Sequence, residues 1–130
     1  MTQEEKELLL RDLCARLPYR VKVQCDRYSH PVTILYAGNI NEVKFAETGG
    51  IEHINSIKPY LRPMSSMTEE ERNEYFDVKM QECERVALAE VYRPEAVSIV
   101  FDWLNSHHFD FRGLIEKGLA LEAPKDMYNL

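Results

Sequence analysis

Two short segments carry the side chains best suited to chemistry, and the first is the run His107, His108, Asp110 and Arg112. Histidine transfers protons near neutral pH and binds metal ions, and a nearby carboxylate can orient an imidazole. Adjacent side chains on a helix diverge by about 100°, so both imidazoles would not reach one ion from a regular helix. The alternative is a helix C-terminus, where histidine interacts favourably with the helix dipole.

The second segment, Ile57–Pro63, places Lys58, Tyr60 and Arg62 at alternate positions. In an extended chain, alternate side chains lie on the same side. Two cations and an aromatic ring on one edge would suit a phosphate-bearing small ligand or an acidic partner. The alternative is that Tyr60 packs inward and the cations are solvated. The prolines exclude a regular helix, so the segment is predicted to be an ordered connector.

Motifs of nucleophilic catalysis and of metal binding are missing from the sequence. There is no Gly-x-Ser-x-Gly elbow, no glycine-rich phosphate loop and no Cys-x-x-Cys pair. Cys14, Cys25 and Cys83 are odd in number and fall at apolar positions, which predicts three buried free thiols. We therefore expect no catalytic residue, no metal and no cofactor, and consider the protein more consistent with a non-enzyme.

Composition predicts a single cytoplasmic domain spanning residues 1–130. Hydrophobic residues make up 45% of the chain, enough for one core, and no apolar run approaches the ~20 residues of a membrane span. The first seven residues are polar and acidic, unlike a secretory signal. Residues 67–130 carry 7 basic against 14 acidic side chains, so duplex nucleic acid is not an expected partner.

The positioning elements are predicted from periodicity. Thr2 and Glu5 have the spacing of a capping box, and an apolar stripe through Leu9, Leu13 and Cys14 predicts a helix over residues 2–17. Alternation of apolar and polar residues over 20–57 predicts three or four antiparallel strands in a meander.

Residues 68–118 are predicted to form two or three helices packed on the sheet, which makes the fold class α+β. Thr68 and Glu71 form a second capping box, before a stripe of Phe76, Met80, Cys83, Ala87 and Val91 that extends the helix to about Tyr92. A second helix, apolar on nearly every side and beginning at Pro94, should be the central core element. A last helix is expected over Phe111–Lys117, with Asp110 as N-cap and Gly118 as terminator.

Two stretches, residues 57–71 (IKPYLRPMSSMTEEE) and 102–118 (DWLNSHHFDFRGLIEKG), resemble short uncharacterised proteins of gut Bacteroidetes and their phages or prophages. Together they cover 32 of the 130 residues. The family has no assigned activity. The resemblance implies an accessory role on mobile DNA and transfers no catalytic residue.

Three hypotheses follow for the function. The first is a cytosolic, non-catalytic accessory protein that binds a protein partner or itself. The second is a module for a nucleotide or other phosphorylated metabolite, which could counteract host defence signalling, using Lys58, Tyr60, Arg62 and either His107 or Arg112. The third is a small hydrolase or metal enzyme around His107, His108 and Asp110.

Overall fold

The first helix, α1 (Gln3–Arg16), begins at the predicted capping box. In the computed structural model, which describes residues 1–88 and 99–128, the hydroxyl of Thr2 accepts a hydrogen bond from the Glu5 amide at 3.1 Å. The Glu5 carboxylate accepts one from the Thr2 amide at 2.9 Å. Two of the four free amide groups at the start of the helix are thereby satisfied, which fixes where α1 starts.

The buried stripe of α1 differs from the predicted one. Leu9 and Leu13 are fully buried, as predicted, but the stripe continues through Asp12 and Arg16. These four residues have the i, i+3, i+4, i+7 spacing of one helix face. The prediction that Cys14 is buried is wrong, because Cys14 lies beside this face and is exposed.

The middle of the chain forms the predicted antiparallel meander, whose polypeptide turns are short enough to join neighbouring strands directly. Val21, Val23 and Cys25 are buried in alternation with more exposed neighbours, as the period of two predicts. The four strands, each paired with the next, are β1 (Lys22–Cys25), β2 (Val32–Asn39), β3 (Glu42–Phe45) and β4 (Ile51–Glu52).

The predicted connector is a strand, β5 (Ile57–Pro63), which pairs antiparallel with β1. On its other side β5 pairs in parallel with two short strands, β6 (Phe109–Asp110) and β7 (Leu121–Glu122). Within residues 1–88 and 99–128 the sheet is therefore mixed and has seven strands, more than predicted. Prolines and the residues before them favour extended backbone, which suits a strand as well as a connector.

The helical half contains α2 (Glu69–Leu88) and α3, described over Ile99–Ser106. The helix α3 is not buried on every side as predicted, since Phe101 is exposed while Trp103 and Leu104 are buried. The predicted features at Ala89–Ser98, including Val91, Tyr92, Pro94 and the start of the second helix, lie outside the described residues, as does the side chain of Ala87.

The predicted last helix over Phe111–Lys117 is wrong, since this segment consists of turns between β6 and β7. Gly113 has a φ of 75°, in the left-handed region, and this interrupts a right-handed helix. Asp110 nevertheless caps the segment, since its two carboxylate oxygens each accept an amide hydrogen bond at 2.9 Å, from Leu114 and Ile115. Gly118 ends the segment with a φ of 74°.

Two apolar clusters hold these elements together. The larger lies between α1 and the sheet and is continued by Leu114, Leu119 and Ala120 from the final turns. The smaller joins α2, α3 and β6, around Trp103 and Phe109. The residues of the 107–112 run lie where the two clusters meet.

Candidate functional site

The two histidines that follow α3 face different surroundings. The imidazole of His107 stacks on Trp103, with ring centroids 4.1 Å apart, and its Nδ1 lies 3.0 Å from the Trp103 carbonyl oxygen. His108 has a φ of 61° and stacks instead on Tyr128, with ring centroids 3.7 Å apart. The change of backbone direction between them separates the imidazoles, so they do not form a common site.

Burial keeps the imidazole of His108 neutral. Its side chain is only 2% exposed, and burial, followed by the nearby positive charge of Arg16, lowers its pKa to about 3. A histidine with this pKa does not serve as a general acid or base near neutral pH. His108 is therefore a neutral part of the core under physiological conditions.

A buried ion cluster joins α1 to the 107–112 run. Asp12 and Arg16 are both fully buried, and the guanidinium of Arg16 donates to both carboxylate oxygens of Asp12, at 2.9 and 3.1 Å. Arg16 also donates to the carbonyl oxygen of Phe109 at 2.7 Å. From the other end of the chain, Arg112 donates to Asp12 at 2.6 Å. Two guanidinium groups thus share one carboxylate.

Arg112 was predicted from the sequence as a candidate site residue, whereas Asp12 and Arg16 were not. The signal for both was their spacing, since with Leu9 and Leu13 they complete one helix face. A charged pair four residues apart on an otherwise apolar face indicates a buried ion pair. What the sequence does not show is the third member, Arg112, which is 100 residues away from Asp12.

Arg62 links β5 to α2. Its guanidinium donates two hydrogen bonds to the carboxylate of Glu71, at 2.8 and 2.7 Å, and lies 4.3 Å from the centroid of the Phe109 ring. Hydrogen bonds from Arg62 lower the pKa of Glu71 to about 2. A phosphate would therefore have to displace a carboxylate that already occupies both arms of this guanidinium.

The three alternating side chains of β5 do lie on one side of the strand, opposite the buried Ile57 and Leu61. Lys58 is exposed, and Tyr60 is half-buried. The phenol of Tyr128 donates to the main-chain oxygen of Tyr60 at 2.7 Å. The predicted group is therefore divided between a solvated lysine and an arginine with a carboxylate partner.

The exposed face of α2 is the most unexpected surface. Tyr75 and Val78 pack towards the smaller apolar cluster, and Tyr75 stacks on Trp103. The stripe predicted to be core lies on another face: Phe76 is 61% exposed, Met80 is 47% exposed, and Cys83 is exposed too. We refer to the exposed residues Asn73, Phe76, Met80 and Cys83 as the α2 seam.

An open groove of about 430 Å³ lies elsewhere, between Lys22, Pro31 and residues 124–127. It contains none of the predicted site residues. Within residues 1–88 and 99–128, no group of three or more His, Cys, Asp or Glu side chains is arranged to hold a metal ion. No helix in the same part of the chain combines the length and the apolar character needed to cross a membrane.

Comparisons with models of protein families, with curated proteins and with solved structures found no match to this chain.

Proposed function

We propose that this protein is a small, cytosolic, non-catalytic accessory protein of phage or prophage type that binds a protein partner or a second copy of itself. The observation that carries the proposal is the exposed α2 seam. Phe76 and Met80 are large apolar side chains on neighbouring turns of one regular helix, and both are largely in contact with water. Contiguous apolar surface of this kind, bordered by charged residues, is typical of protein interaction sites.

The surroundings of the seam support a binding role. Acidic side chains at Glu70, Glu74 and Asp77 are exposed on the same helix and would favour basic groups at the rim of an interface. The N-terminal half of α2 does not need a partner to order it, because the capping box at Thr68 and the packing of Tyr75 and Val78 on the smaller apolar cluster already hold it. A preformed helix binds without the entropic cost of folding.

The internal contacts of the other candidate residues give further support. His108 is buried and neutral, Asp110 caps a turn, and Arg62 binds Glu71. Each of these side chains has a structural role that accounts for its position. The small-ligand hypothesis stays a prediction, and a thermal-shift screen of nucleotides tests it, since saturating ligand would stabilise the fold by a few kcal/mol at about 100 times Kd.

The proposal is tested by disrupting the seam without disturbing the core. The variant Phe76→Ser with Met80→Ser is compared with Leu35→Ser with Ile51→Ser, which removes two equally exposed apolar side chains from the sheet. Native mass spectrometry and quantitative affinity capture measure assembly. We expect the seam variant to lose its assembly or partner and the sheet variant to keep it. A seam variant that retains every assembly and partner of the wild type would refute the proposal.

A further inference from the structure

The α2 seam has the spacing of a coiled coil. Its residues are separated by three, four and three positions. This is the alternation of three and four that, over a whole heptad, gives the 3.5-residue repeat that keeps one stripe facing a partner helix. In heptad notation Asn73 and Met80 occupy a positions, and Phe76 and Cys83 occupy d positions. All four side chains are exposed, and α2 turns its other face, with Tyr75 and Val78, towards α3.

Charges of opposite sign border the two sides of the seam. Arg72 and Lys79 occupy the g positions on one side, and Asp77 and Glu84 occupy the e positions on the other, all of them exposed. In a parallel pair of helices a g residue faces the e residue five positions later on the partner. Arg72 would then face Asp77 of a second copy, and Lys79 would face its Glu84.

The same charges disfavour the antiparallel arrangement. There, g positions face g positions and e positions face e positions, so lysine and arginine would meet lysine and arginine, and carboxylates would meet carboxylates. Like charges at the rim of an interface act against the wrong arrangement. A partner helix complementary to α2 must carry acidic residues opposite the basic residues of α2, and basic residues opposite its acidic ones. In the parallel arrangement α2 itself meets this requirement.

A polar residue in the seam adds a second, independent argument. A single Asn at an a position of a parallel two-stranded coiled coil fixes the register and the number of strands, because the two amides pair only when they are level with each other. Asn73 occupies such a position and is exposed. Pairing across the two-fold axis would also bring the two Asn73 side chains together.

We propose that the α2 seam is a homodimer interface, in which α2 of a second copy of this chain packs parallel and in register. This inference rests on the proposed function and specifies its partner. The seam covers only about two heptads, so the association is weak and reversible unless other surfaces contribute. Its symmetry is that of an isologous two-fold dimer, the commonest arrangement among homo-oligomers.

Cys83 provides a direct test of direction and register. In the parallel pair the two Cys83 side chains occupy the same level and lie within reach of a disulfide, whereas in an antiparallel pair they lie on different turns. Diamide takes two protons and two electrons from the pair of thiols as the S–S bond forms. The experiment uses the Cys14→Ser variant, because Cys14 is the other exposed cysteine and Cys25 is buried.

We expect a cross-linked dimer for Cys14→Ser and none for Cys14→Ser with Cys83→Ser. Sedimentation over a concentration series should show a doubled mass that the Phe76→Ser, Met80→Ser variant loses. A single-chain mass throughout, or a dimer without a Cys83 disulfide, would overturn the parallel dimer. If the dimer is absent but capture of a partner still depends on the seam, the proposed function stands. If neither the dimer nor seam-dependent capture is found, both the parallel dimer and the proposed function are overturned.

Charge reversal gives a test that does not depend on oxidation. Lys79→Glu and Glu84→Lys each replace attraction by repulsion, so each should weaken dimerisation, by about tenfold. A mixture of the two variants restores opposite charges in the heterodimer, and so does the double variant in the homodimer. We expect both to associate as the wild type does. Equal affinities for the two single variants and the wild type would contradict the proposed pairing.

Discussion

The helices α1 and α2 begin alike and are used differently. Each starts at a Thr–Glu capping box in which both hydrogen bonds are made. Yet α1 buries a charged pair, Asp12 and Arg16, while α2 exposes a stripe of apolar side chains. The apolar pattern correctly predicted the burial of Leu9 and Leu13 in α1, but it also predicted that the stripe of Phe76, Met80 and Cys83 in α2 is buried, and this stripe is exposed.

The difference arises from what surrounds each helix. The sheet, α3 and the final turns enclose α1, and they supply partners for its charges in Arg112 and the Phe109 carbonyl oxygen. Among the described residues, α2 packs chiefly on α3. The elements packed against a helix therefore determine which of its faces are buried. Periodicity shows only which faces are suited to burial.

The largest expected effect comes from breaking the buried cluster of α1. Asp12→Ala leaves Arg16 buried without its carboxylate, and loss of one partner of a buried ion pair costs about 3–5 kcal/mol. Urea unfolding measures the change in the free energy of unfolding. Glu7→Ala removes an exposed acid from the same helix and should change stability by less than about 0.5 kcal/mol. Equal costs for the two variants would show that the cluster contributes nothing particular to the fold.

A matched pair of truncations tests the burial difference itself. Leu13→Ala in α1 should cost about 2–5 kcal/mol, because it opens a cavity in the larger core. Met80→Ala in α2 should change the free energy of unfolding of the monomer by no more than about 0.5 kcal/mol. Thermal and urea unfolding at low protein concentration provide both values. A large loss of stability in Met80→Ala would show that the seam lies inside the core.

The pH dependence of the free energy of unfolding tests the environment of His108, which lies close to Arg16 of α1. Because the folded pKa of His108 is about 3, against an ordinary value near 6.5, the unfolded chain binds a proton between these values that the folded protein does not. Stability therefore falls as pH decreases from about 6.5, by about 1.4 kcal/mol per pH unit from this group.

His108→Asn should remove this contribution, and asparagine tolerates the positive φ of this position. Between pH 7 and pH 5 the wild type should lose about 2 kcal/mol more than the variant. His30→Asn, at an exposed position, should keep the slope of the wild type. Identical slopes for His108→Asn and the wild type would mean that His108 binds its proton as readily in the folded protein as in the unfolded chain.

The smallest expected effect concerns the two capping boxes, which are closed by Glu5 in α1 and by Glu71 in α2. Glu71→Gln should cost about 1–2 kcal/mol at neutral pH, because Glu71 binds Arg62 as well as the start of α2. Since the folded pKa of Glu71, about 2, is depressed, this stability is present above the ordinary pKa and is lost as pH falls towards 2.

Glu5→Gln changes an exposed cap without an arginine partner among the described residues and should have the smaller effect at every pH. Unfolding curves of both variants at several pH values provide the comparison. A greater cost for Glu5→Gln would show that the Arg62 bond adds no stability to α2.

Local signals in the sequence predicted much of the fold. Both capping boxes, the alternation in β1 and the antiparallel order of the meander depend on neighbouring residues, so they could be predicted without knowledge of the rest of the chain. The strand β5 and its parallel neighbours could not, because β6 and β7 reach β5 from more than forty residues later in the chain. Pairing between segments so far apart produces no periodic pattern in the sequence.

The candidate site residues were predicted by type but not by role. Asp110 was expected to be the N-cap of a helix, but it caps a segment of turns instead, by accepting hydrogen bonds from the Leu114 and Ile115 amides. The partners of Arg62 and Arg112 were not predicted, since an arginine looks the same in sequence whether it binds a ligand or a buried carboxylate. Asp12 was not among the predicted site residues, because an acidic side chain is usually exposed to solvent. Only the fold shows that two arginines converge on it.

The short strands β6 and β7 determine when the sheet can be completed during synthesis of the chain. They cover the edge of β5, and they are synthesised more than forty residues after it. Until residues 109–123 have been synthesised, β5 presents unpaired main-chain groups, which can pair with the same edge of a neighbouring nascent chain. The sheet is therefore completed only after β6 and β7 have been synthesised, and interruption of synthesis before β6 would yield an aggregation-prone product.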